Sequence, residues 1–90
     1  MTEQEVKELK VGDFVEIQID NDIYIGSIIE DYYKMYNTIL LYLDFCLTKE
    51  EWDLDTIRVN KKDFKNIKKH LPQLESLDSQ IKRIYPQYFI

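Results

Sequence analysis

The stretch "TILLYLDF", residues 38–45, decides the fold. Its side chains alternate at period two, with Ile39, Leu41, Leu43 and Phe45 on one side and Leu40, Tyr42 and Asp44 on the other. A helix would need apolar residues three and four apart. Both sides are largely apolar, so the segment is expected to be a central strand, covered on both faces.

The same period runs upstream. Val15, Ile17 and Ile19 alternate with Phe14, Glu16 and Gln18, and Asp20-Asn21-Asp22 is a turn signal, because short polar side chains bond nearby backbone and tolerate left-handed conformations. A returning strand is predicted over Ile23 to Glu30, bent at Gly26. Thr2 and Glu5 have the spacing of a capping box, which predicts a short helix within residues 1–9 that stops at Lys10 to Gly12. Downstream, Cys46 to Lys49 reads as a turn, Glu50 to Leu54 as a strand, and Asp55 to Val59 as a short turn or fifth strand. Five short strands within residues 10–59 favour a closed barrel, which removes sheet edges, over an open sheet.

From Asn60 the period changes. Phe64, Ile67 and Leu71 form a stripe at helical spacing, with Lys61, Lys62, Lys65, Lys68 and Lys69 together on an adjoining face. Pro72 separates this from Leu74, Leu77, Ile81 and Ile84, again at helical spacing, and Pro86 ends the second run. Two helices are therefore expected over residues 60–85, packed on the barrel, with an apolar tail at 86–90. The fold class expected is mainly β with α, in one domain spanning 1–90.

Composition narrows the function. Ninety residues with Cys46 as the sole cysteine exclude an intrachain disulfide and a cysteine-based zinc site. One free thiol and no apolar run of about 18 residues lead to the expectation of a cytoplasmic protein, or a nuclear one in a eukaryotic cell, away from membranes. Charge is uneven. Residues 1–60 carry fourteen Asp/Glu against five Lys/Arg, a net of −9, and residues 61–90 carry three against seven, a net of +4. An acidic body with a basic end can steer partners of opposite charge.

"LKVGDFVEI", "IYIGSI", "LLYLDF" and "EEWDLDTIRV", within residues 9–59, resemble the Tudor-like and chromo-barrel branch of the small SH3-like barrels. The resemblance implies a five-stranded SH3-like barrel. It also implies an open box of aromatic side chains that receives a methylated lysine or arginine through cation–π attraction. Tyr24 matches the family tyrosine of the second strand, and Tyr42 and Phe45 match the aromatic pair at the end of the third. Trp52 with Glu50 and Glu51 resembles the acidic stretch of the Tudor-knot relatives. The first-strand aromatic has no match, since that region holds Ile17 to Ile19.

Catalysis finds little support. His70 and Cys46 lack a nucleophile motif around them, the carboxylate pairs Asp20/Asp22 and Glu50/Glu51 lack the spacing of a calcium loop, and Gly12 and Gly26 alone build no phosphate cradle. No enzyme activity, metal or cofactor is expected. Tyr24, Tyr42, Phe45 and Trp52 can serve the core as readily as a ligand. Tyr32, Tyr33 and Tyr36, three tyrosines in five residues of an expected loop at Asp31 to Asn37, point more to recognition.

The function expected is a protein-binding module that takes a partner with a basic surface. Its contacts are Tyr24, Tyr32, Tyr33, Tyr36, Tyr42, Phe45 and Trp52, with Asp44, Glu50 and Glu51 supplying charge. One alternative is a virus- or mobile-element-encoded inhibitor that blocks a host protein surface. The other is nucleic-acid binding through Lys61, Lys62, Lys65, Lys68 and Lys69.

Overall fold

The computed structural model describes residues 1–71 together with Ser79, Lys82, Arg83 and Pro86. After a short helix α1 (Glu3–Lys7) come β1 (Phe14–Ile19), β2 (Asp22–Tyr33), β3 (Thr38–Cys46), β4 (Glu51–Trp52), β5 (Thr56–Asn60), a 3₁₀ turn (Lys61–Asn66) and β6 (Ile67–Leu71). The six strands form one antiparallel sheet in the order β4-β3-β2-β1-β6, with β5 also paired to β3. Since β2 takes one edge of β3, β4 and β5 lie in file along the other. Residues 38–45 are indeed the hub.

Local chemistry explains the starts and turns. The capping box is formed: Glu5 N–H donates to Thr2 Oγ1 (3.2 Å) and Thr2 N–H to Glu5 Oε1 (2.9 Å). The chain then makes a four-residue turn closed by Asp13 N–H donating to the Lys10 carbonyl (3.0 Å), with Gly12 at φ 95°. Only glycine takes that conformation without cost, and Gly12 begins a bulge in which Gly12 N–H and Ile28 C=O pair (2.8 Å). Asp20 (φ 55°) and Asn37 (φ 52°) occupy the left-handed corners of the next two hairpins, as short polar residues can.

Two apolar clusters fill the two sides of the sheet. The larger gathers Val6 and Leu9 from the α1 region with Val15, Ile17, Tyr24, Ile28, Ile39, Leu41, Leu43, Val59, Phe64 and Ile67. Val59 and Ile67 come from strands at opposite edges, so the sheet curls around this core. The smaller cluster holds Ile25, Phe45, Leu47 and Leu71. A bulge separates them: Ile25 pairs with Phe45 and Gly26 with Leu43, leaving Asp44 as the extra residue. Past Asp44 the alternation is reset. Phe45 therefore leaves the side of Ile39, Leu41 and Leu43, where strict alternation had put it, and Cys46 joins that side instead. Gly26 allows the close approach, since a Cβ there would lie 3.2 Å from the Tyr42 carbonyl oxygen.

The expected barrel followed by two helices is overturned. The protein is a small, mainly β structure: an open sheet whose edges, β4 with β5 on one side and β6 on the other, do not pair. No pair of C-terminal helices is seen among the described residues. The first expected helix is the 3₁₀ turn followed by β6, which pairs with β1 from Phe14↔Leu71 to Ile17↔Ile67. Phe64 and Ile67, three residues apart, share a side in a 3₁₀ turn as they would in an α-helix, so their spacing did not separate the two. Pairing along the exposed edge of β1 then outweighed the helical preference of a lysine-rich segment. Of the second expected helix only Ser79, Lys82 and Arg83 are described, all three helical, and of the tail only Pro86.

Candidate functional site

The expected contact residues separate into three groups. Tyr24 (9% exposed) and Phe45 (5%) are core residues. Burial holds the Tyr24 phenol above its ordinary range, and the Asp22 carboxylate acts in the same direction. Tyr32 is a structural pin: its hydroxyl lies 3.2 Å from Glu3 Oε1 and 2.5 Å from Asn37 Oδ1, and donates to one at a time. Its ring meets Phe64 edge-on at 6.3 Å, and Lys7 Nζ stands 5.2 Å above it. Tyr32 thus ties α1 to the β2–β3 hairpin. Glu3 is held there also by Lys61 (3.1 Å) and Lys7 (3.6 Å), and the hydrogen bond from Lys61 is the main cause of its lowered pKa.

The second group caps the β2–β3 hairpin. The expected loop at 31–37 is shorter than read, because Asp31 to Tyr33 continue β2. Tyr33, Met35 and Tyr36 are exposed at the tip, with the two rings 5.3 Å apart and the Tyr33 hydroxyl 3.8 Å from Met35 Sδ.

The third group stands at the other end of β3. Trp52 pairs with Phe45 across the β3–β4 ladder, and their rings meet edge-on at 4.9 Å. Phe45 is buried and supplies a floor, while Trp52 remains 55% exposed. Leu54, two residues on, is 72% exposed. Glu50, Glu51 and Asp55 are exposed beside them and Asp53 is half-buried. Glu50 holds a left-handed conformation (φ 54°), which turns the chain sharply into β4. Lys49, the nearest cation in sequence, is occupied by Asp22 at 3.5 Å, and that carboxylate also accepts from Thr48 Oγ1 (2.6 Å). Asp22 is also the main cause of the raised Lys49 pKa. This corner is apolar at its centre and acidic around it.

Seven residue steps along β3 separate Thr38, beside the tyrosine tip, from Phe45, beneath Trp52. At strand rise that is about 23 Å. The residues expected to form one rim therefore form two surfaces too far apart for one side chain. Tyr42 is half-buried between them.

Asp44 lies on the bulge next to the corner. Burial raises the pKa of its carboxyl, against the lowering effect of a hydrogen bond from the Ser27 hydroxyl, and Oδ2 is out of water without a hydrogen-bond partner. A carboxyl that ionises less readily in the folded chain loses folding stability as pH rises from its unfolded pKa, about 3.9, through the raised folded one. Asp44→Asn keeps the shape and removes the charge. It is expected to stabilise the fold at pH 7 by on the order of 0.5 kcal/mol, a figure discounted for the solvent that still reaches the residue. The gain should disappear below about pH 4, which thermal denaturation across pH would show.

The aromatic box implied by the resemblance is not assembled, since Tyr24 and Phe45 are buried in different clusters. Peptides carrying methylated lysine or arginine are expected to bind no better than their unmodified forms, with dissociation constants no tighter than roughly 100 µM. An NMR titration with both forms checks this. A low-micromolar, methylation-dependent site at Tyr24, Tyr42 and Phe45 would contradict it.

The lysine face is not formed either. Lys61, Lys62 and Lys65 sit on the 3₁₀ turn and Lys68 and Lys69 follow in β6, so no single helix face carries all five. Lys61 is bound to Glu3. Among the described residues, no three His, Cys, Asp or Glu side chains gather where a metal could sit, and no helix is long and apolar enough to cross a membrane. His70 lies 3.5 Å from Asp13, and Cys46 is buried. In comparisons with known proteins, no family model, curated protein or solved structure matches this chain.

Proposed function

We propose that the protein is a non-enzymatic binding module whose β3–β4 corner takes a basic segment of a partner protein. The observation that carries this reading is Trp52, held half-exposed on the buried Phe45 ring and surrounded in sequence by Glu50, Glu51, Asp53 and Asp55. A tryptophan on a rigid floor offers a large apolar contact at little cost in side-chain entropy, and such residues dominate binding energies. The carboxylates favour a cationic partner and speed its approach, an effect that falls with salt. The net charge of −9 over residues 1–60 acts in the same direction.

The tyrosine tip is the weaker site, because its two rings already cover part of each other and Lys34 lies between them in sequence. Capture from an extract of the native host tests the proposal. The triple substitution Glu50→Gln, Glu51→Gln, Asp53→Asn should release the captured partner, and raising salt should release it from the wild-type protein. Retention unchanged by both would remove the corner from consideration.

A further inference from the structure

The outer edge of β5 and the end of β1 that β6 leaves uncovered flank a cleft of about 280 Å³, lined by residues 17–20 of β1 and its turn, residues 57–59 of β5, and Asp63 and Asn66. Ladder geometry shows what the backbone presents there. Leu43 N–H donates to the Asp55 carbonyl (2.7 Å), so the alternation of an antiparallel pair turns the backbone groups of Ile57 and Val59 toward β3. Those of Thr56, Arg58 and Asn60 point the other way, where no described strand lies.

The same reasoning applies to β1. Ile28 N–H donates to the Asp13 carbonyl (2.8 Å), so Phe14, Glu16 and Gln18 turn their backbone groups away from β2. β6 covers β1 only as far as Ile17 and leaves Gln18. Unpaired strand edges thus stand on both sides of one cleft. Its walls are apolar at period two, with Ile17 and Ile19 opposite Ile57 and Val59, and Asp20 and Asp63 add negative charge. The one cation in the lining, Arg58, is directed to Glu30 Oε2 (3.6 Å) and Thr38 Oγ1 (3.3 Å).

We propose that the partner's basic segment binds as an added β-strand in this seam, using the N–H and C=O of Arg58 on one side and of Gln18 on the other. Its apolar residues lie on Ile19 and Ile57, and a lysine or arginine meets Asp20 and Asp63. β4 and β5 share one edge, so the segment runs on toward Trp52; the inference rests on the corner reading and adds the mode of attachment. Main-chain pairing supplies affinity and alternate side chains supply selectivity.

The test uses the full chain and three capped pentapeptides: Lys-Val-Lys-Val-Lys, Lys-Gly-Lys-Gly-Lys and Glu-Val-Glu-Val-Glu. Only the first is expected to bind, and to slow hydrogen exchange of the Arg58 and Gln18 amides at least tenfold. Arg58→Pro removes an N–H that β3 does not use and should weaken this peptide at least tenfold, whereas Arg58→Ala should leave it within threefold. Equal effects of the valine and glycine peptides would overturn strand addition. So would a response at the Trp52 indole with no protection at Arg58, an outcome that leaves the corner reading standing. Absence of any response up to millimolar peptide would overturn the inference as well.

Discussion

Phe64→Ala is expected to cost about 3–5 kcal/mol and to lower Tm by at least about 12 °C. Phe64 lies on the 3₁₀ turn, 2% exposed, in the core that Val6, Ile17, Val59 and Ile67 share. Its ring is also the edge contact of Tyr32, which ties α1 to the hairpin. Truncation therefore opens a cavity where the helix, the turn and both sheet edges converge, and little nearby can collapse to fill it. A chain of ninety residues has a small total margin, so this one change should leave a substantial unfolded fraction at physiological temperature. Thermal denaturation followed by circular dichroism checks it. A shift below about 4 °C would mean that the turn does not close the core.

The second large effect falls on binding. Trp52→Ala is expected to weaken the captured partner by at least about thirtyfold, near 2 kcal/mol, while lowering Tm by only a few degrees. The side chain is more than half exposed, so the fold gains little from it beyond the contact with Phe45. A double substitution at the tip, Tyr33→Ala with Tyr36→Ala, should change affinity less than threefold. The reverse ranking would move the site to the tip. Calorimetric titration of the purified partner against the three proteins separates these results.

Much of the sheet was legible because its signals are local. Period-two alternation placed β1, β2 and β3 within a few residues of their observed ends, the Thr2/Glu5 spacing announced the capping box, and Asp20-Asn21-Asp22 marked the first hairpin. Asp44 was not legible as a bulge. Its position depends on how β2 pairs with β3, and no residue within the strand announces it. That slip moved Phe45 from one side of the sheet to the other, away from Tyr24. The segment from Lys61 to Leu71 failed for a related reason, because its pairing partner, β1, lies some fifty residues away and Phe64 and Ile67 have a spacing shared by two kinds of helix.

The candidate site divides in the same way. Trp52, Glu50 and Glu51 were singled out by the resemblance of "EEWDLDTIRV" to the acidic stretch of the Tudor-knot relatives, and the structure leaves Trp52 exposed beside both glutamates. Tyr24, Tyr32 and Phe45 could not be assigned to the interior from composition, since a tyrosine or phenylalanine in a strand suits either side. The seam between β1 and β5 had no sequence signal at all. It follows from which strand ends first, and β6 stops one residue short of Gln18.

The most direct measurement is the NMR resonance of the Trp52 indole N–H, unique in this protein, during titration with the captured partner. If the corner is the recognition surface, this resonance shifts from the first additions and saturates with the binding isotherm, while the amides of Tyr33 and Tyr36 stay in place. Binding that saturates with the indole resonance unmoved would contradict the assignment of this surface.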